Sequence, residues 1–193
     1  MKTTLWCLLA TLVVPITLAA PPEPKSEPPT GPARPGVESR MPTGSRGIAG
    51  QVYVGEPAPG FELTNANDQR VSLSRFRGDR VLLCFADRRE MISQYRAAAE
   101  TLGAMGVRLI GISRDSPRSL RALATRDSLD FELLSDPTGE VAAIYGSYDF
   151  TTSSIRPGYV LVGRTTMVRM VLLGQRLPPD DLIHITRYAL VGL

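Results

Sequence analysis

The chain has 193 residues, two cysteines, and 22 Lys and Arg against 19 Asp and Glu, for a formal net charge of +3. That length suits one domain of ordinary size plus an extension. Residues 1–50 carry Lys2, Lys25, Arg34, Arg40 and Arg46 against Glu23, Glu27 and Glu38, so the remainder is nearly neutral and has no basic stripe of the kind nucleic-acid binding needs.

In chain order, Lys2 precedes an uncharged apolar run from Leu5 to Ala20 that Pro15 interrupts. The run is short of the about 20 apolar residues of a stable bilayer span. It reads as a secretory signal peptide over residues 1–19, cleaved after Ala19, since a cut after Ala20 would place Pro21 behind the scissile bond. Membrane attachment is expected only if this segment stays uncleaved, and otherwise the product is exported, periplasmic or extracellular. Cys7 leaves with the signal, because the bulky Trp6 before it does not suit lipoprotein processing. Cys84 then stands alone, which excludes an internal dithiol cycle and a disulfide scaffold. Residues 20–50 are dense in Pro, Gly, Ser and charge and too poor in large apolar groups to offset the entropy of ordering. They read as a disordered Pro-rich linker, reaching roughly 90 Å if fully extended at about 3.1 Å per residue.

Residues 51–193 alternate strands and helices. Arg80–Phe85 is a continuous apolar run, expected for a strand covered on both faces. Met91, Ile92, Tyr95, Ala98, Ala99 and Leu102 recur at helical spacing. Val107–Ile112 predicts a second buried strand, and Asp115-Ser116-Pro117 caps a helix whose inner face is Leu120 and Leu123. A third strand is expected at Phe131–Leu134, then a short helix from Ser135-Asp136-Pro137 through Tyr145. Gly158–Val162 and Thr166–Leu173 predict a hairpin, and Pro178 to about Leu190 an amphipathic closing helix. The pattern implies an α/β fold with a mixed central sheet flanked by helices.

Four segments carry a family resemblance. Val54-Gly55-Glu56-Pro57-Ala58-Pro59-Gly60-Phe61-Glu62-Leu63 resembles the VGxxAPxFxL opening of the peroxiredoxin (AhpC/TSA, redoxin) family. Val71–Gly78, Gly111–Pro117 and Phe131–Val141 with Tyr145-Gly146 resemble three later family segments. All four occur in family order across about 110 residues. The resemblance implies a thioredoxin-like fold with an N-terminal peroxiredoxin-type extension. It also implies peroxide reduction by a cysteine thiolate at the start of the helix after the first core strand. That chemistry explains the family's Pro, Thr and Cys at fixed spacing, because a thiolate attacks the O–O bond and a positive helix N-terminus lowers its pKa.

The chain departs at this motif. Aligned without a gap, the Pro, Thr and Cys positions hold Asp87, Met91 and Gln94; with the helix matched through Tyr95-Arg96, about six residues are missing instead. An amide cannot act as a peroxide nucleophile. Arg156 lies where the family carries its peroxide-binding Arg; without a thiolate it reads as a leftover or as the partner of a carboxylate such as Asp87 or Glu90, with a retained anion-binding role as the alternative.

Cys84 reads as a small buried hydrophobe, with the alternative that Arg88, Arg89 and Arg156 surround it and lower its pKa. Asp87, Arg88, Arg89 and Glu90 form a mixed-charge cluster, read as a solvated face or as a patch for a protein partner. His184, with Asp180 and Asp181 a turn before it, has no second ligand or nucleophile nearby. No cofactor and no metal site is expected. The expectation is an exported domain without peroxidase activity that acts as a binding or scaffolding module; the alternative is a one-cysteine thiol oxidoreductase using Cys84, Arg156 and an external thiol donor.

Overall fold

A computed structural model describes residue 50 and residues 52–191; the expected signal peptide and nearly all of the expected linker lie outside them. Strands β1 (Glu62–Asn65) and β2 (Arg70–Ser72) form an antiparallel hairpin. Its turn is held by the buried Asn65 side chain, whose Oδ1 accepts from the N–H groups of Asn67 and Gln69, each at 2.9 Å. A 3-10 turn (Leu73–Phe76) leads into β3 (Arg80–Phe85). Then come α1 (Arg89–Ser93), α2 (Arg96–Ala104), β4 (Val107–Ser113), α3 (Pro117–Asp127) and β5 (Glu132–Ser135). The chain continues through α4 (Glu140–Ile144) and the two-residue strands β6 (Tyr148–Asp149) and β7 (Ser154–Ile155). It ends with β8 (Gly158–Val162), β9 (Val168–Leu173) and α5 (Pro179–Val191).

The main sheet has seven strands in the order β2-β1-β5-β4-β3-β8-β9. β3 runs parallel to β4, and β4 parallel to β5; β8 is antiparallel to β3, and β9 to β8. Alternate residues of the central strands feed two cores, as the period of two requires. Leu83, Phe85, Ile110, Ile112 and Val160 join Leu73, Phe76 and the α4 residues Val141 and Ala142. Leu82, Cys84, Leu109, Tyr159 and Leu161 face the opposite side, against Met91, Ile92, Leu102, Leu120 and Leu182 from four helices. Burial on both faces explains why the core strands read as unbroken apolar runs.

Three local features differ from the sequence reading. The helix expected across Met91–Leu102 breaks at Gln94-Tyr95, where the Tyr95 N–H bonds to Ile92 O, a tighter turn than α, at 3.1 Å. The helix expected from Ser135-Asp136-Pro137 begins only at Glu140. Asp136-Pro137-Thr138-Gly139 is instead a turn closed by Gly139 N–H to Asp136 O at 3.0 Å, with Gly139 at φ 75°. The buried Asp136 carboxylate then accepts from Ala142 N–H at 2.9 Å and so caps the delayed helix. Strands β1, β2, β6 and β7, none longer than four residues, have no periodic signal in the sequence.

Candidate functional site

The parallel strands β3 and β4 end together at Phe85 and Ser113, and the carboxyl ends of such strands are where open α/β sheets place their ligands. Because β8 runs the other way, Gly158 pairs with Phe85, and Leu173 at the end of β9 pairs with Gly158. One rim therefore gathers the Ala86–Arg88 turn, Arg114 and Asp115, the Arg156-Pro157 entry to β8, and the exit of β9. A groove of about 480 Å³ opens beside this rim, lined by Arg88, Glu90, Met91, Gln94, Arg176 and the Leu177–Pro179 stretch.

The rim is laced with ion pairs. Asp87 takes both nitrogens of an Arg176 fork, the Nε bond being 3.2 Å, and stands 3.8 Å from Arg88 Nε. Arg89 reaches Asp115 at 2.6 Å. Arg126 pairs with Asp127 at 2.6 Å, and the Ser93 hydroxyl donates to the same carboxylate, joining α1 to the end of α3. Arg126 and then Ser93 hold the Asp127 carboxyl down to about 2. The mixed-charge cluster Asp87–Glu90 is thus largely exposed, as a solvated face would be, with Asp87 and Arg89 tied to Arg176 and Asp115 outside it.

Behind the groove the environment is apolar. Cys84 is 1 % exposed, and burial pushes its thiol well above the ordinary range. It lies opposite Tyr159 in the β3–β8 register. The side chains of Tyr95 and Tyr159 are fully buried, with hydroxyls 2.5 Å apart. Leu177 N–H donates to the Tyr159 hydroxyl at 2.9 Å, and the Tyr95 hydroxyl donates to Leu177 O at 2.6 Å. With the Tyr95 proton committed to that carbonyl, the Tyr159 proton points at Tyr95, which closes a ring of three bonds running one way round. Burial raises the pKa of both phenols.

The structure does not bring the sequence candidates together. Arg88 and Arg89 are engaged by Asp87 and Asp115, and desolvation alone acts on Cys84. Arg156 pairs with neither Asp87 nor Glu90, correcting that expectation. It is exposed, and its Nη2 donates to Gly146 O at 3.1 Å because the β6–β7 hairpin turns it back towards the end of α4. Gln94 caps the C-terminal end of α1 and is exposed, while Met91 is 3 % exposed. His184 lies exposed on α5. Among the described residues no group of three or more His, Cys, Asp or Glu could hold a metal ion, and no helix is long and apolar enough to cross a membrane. The tyrosine pair and Arg176 were missed by the sequence reading. The available signals were a polar-tipped aromatic inside an apolar strand and a Pro-Pro step directly after Arg176-Leu177.

Residues 54–171 match the AhpC/TSA family model. The chain belongs to the AhpC/TSA family. Its peroxiredoxin-type relatives include the bcp protein of Haemophilus influenzae, 36% identical over 99 residues covering 48% of this chain and 64% of that protein. Peroxiredoxin Q of Triticum aestivum is 34% identical over 122 residues, covering 59% of this chain and 56% of that protein. The chain thus spans less than two thirds of the length of these relatives. The AhpC/TSA domain has the thioredoxin-like peroxiredoxin fold. BcpB from Mycobacterium tuberculosis superposes with a TM-score of 0.64 at 22% identity, over 74% of this chain and 98% of that one. AhpC from Enterococcus faecalis does so at 0.66 and 15%, over 72% and 93%.

Proposed function

We propose that this AhpC/TSA domain no longer reduces peroxides and serves as a binding module, with the groove beside Arg88, Gln94 and Arg176 as its contact surface for a protein partner. The observation that carries the reading is the position of the sulfur. Peroxide reduction needs a thiolate that the oxidant can reach, and burial both hides Cys84 and keeps it protonated at neutral pH. Gln94, at the cysteine position of the ungapped motif, offers an exposed amide without nucleophilic character. A groove of about 480 Å³ is of ligand-site size. Export through a cleaved segment 1–19 is part of the same proposal, supported by the charge and apolar pattern of that segment; the mass of the mature product tests it.

The rival reading is a one-cysteine thiol peroxidase. Relatives that carry the name peroxiredoxin favour it. One assay separates the two: purified protein with hydrogen peroxide and dithiothreitol, alongside Cys84→Ser. The binding reading expects turnover at the uncatalysed background in both proteins. Turnover in the wild type that vanishes in Cys84→Ser would overturn it.

A further inference from the structure

Between β9 and α5 the chain runs along the groove as a five-residue strap, Gly174–Pro178. At one end Gly174 adopts φ 80° with open space around it, and its N–H donates to Pro157 O at 2.7 Å. At the other end Pro178 O accepts from Leu182 N–H at 3.0 Å, which fixes the strap to the first turn of α5. Between these anchors Gln175 and Arg176 are exposed, and Leu177 is the one large apolar side chain. The middle is held by two devices: the Leu177 peptide sits in the tyrosine ring, and Arg176 sits on Asp87.

The strap's hydrogen-bond partners, Tyr95 and Tyr159, pack in the same buried cluster as Cys84, and Tyr159 is its partner in the β3–β8 register. The Leu177 peptide therefore stands on the hydroxyl ends of the two rings that border the sulfur. Segments with few buried apolar contacts and polar fastenings open at far lower free energy than the core they rest on. Gly174 supplies a hinge whose backbone is free of side-chain obstruction.

We propose that Gly174–Pro178 is a latch that opens as a local unit, without global unfolding, and that its opening exposes the tyrosine pair and the Cys84 thiol behind it. The latch is independent of whether the protein turns over peroxide, because it concerns access to the sulfur and not its chemistry.

The test is native-state alkylation of the full chain carrying Cys7→Ser, with N-ethylmaleimide, followed by intact mass across a urea series. The latch predicts a Cys84 labelling rate that is nearly flat at low urea, because local opening uncovers little surface, and then joins the steep line of global unfolding. Arg176→Gln, at an exposed side chain that cannot compromise the core, should raise the flat branch about three- to tenfold. Tyr159→Phe, which removes the hydroxyl that receives Leu177 N–H, should raise it about tenfold or more. A single steep urea dependence from zero denaturant would overturn the latch. So would variants whose low-urea rates rise no more than their global unfolding midpoints require.

Discussion

The rim of the groove and the interior directly behind it divide between them the ingredients of thiol chemistry. The rim holds cations and hydrogen-bond donors in abundance, yet its aspartates are already claimed: Asp87 by Arg176, Asp115 by Arg89, Asp127 by Arg126 and Ser93. The interior holds the sulfur, but with two phenols and apolar side chains around it and no cation to stabilise a thiolate. A reactive cysteine needs both sets of conditions at one atom. Here three residues, from Cys84 near the end of β3 to Asp87 just beyond it, separate a dry core from solvent-facing electrostatics.

The comparison predicts that the two regions respond to substitution on different scales. Deep on the sulfur's side of the sheet, Leu82→Ala should lower stability by about 2–5 kcal/mol, the cost of lost burial plus the cavity left behind. Urea unfolding measures it, and a loss below about 1 kcal/mol would mean that this core is loosely packed. Cys84→Ser should cost about 1–3 kcal/mol, because a hydroxyl replaces a thiol in a site whose nearby phenol protons are already committed. If Cys84→Ser instead left stability untouched, the sulfur's pocket would have to contain a free polar partner.

The smallest effect belongs to the rim. The native state holds Asp127 ionised down to about 2, against an ordinary aspartate near 3.9. Its contribution is therefore complete above about pH 4 and is lost as pH falls towards 2. Asp127→Asn should flatten the pH dependence of the unfolding midpoint in that window and nowhere else. Ser93→Ala should shift the Asp127 titration upward while the interior stays unchanged, as NMR of the two carboxyl and hydroxyl neighbourhoods would register.

Legibility in the sequence followed the same division. β3, β4 and β8 were readable because strands buried on both faces must be apolar at every position, and the cap at Ser116-Pro117 was readable because its side chain accepts from Ser119 N–H as such caps do. The delayed start of α4 was hidden because Asp136 caps from six residues away through a turn that only Gly139 permits. The partner of Arg156 was hidden for a similar reason: Gly146 O is ten residues upstream, brought near by a hairpin of two-residue strands.

The amino-acid order alone determined the family, the alternation of strands and helices, and the loss of cysteine from the peroxidatic spacing, because each of these is written in residue type and local period. The tertiary structure decided which cation meets which carboxylate, and that two tyrosines 64 positions apart close a hydrogen-bonded ring on Leu177. Those outcomes depend on distances between segments remote in the chain, which no local pattern encodes.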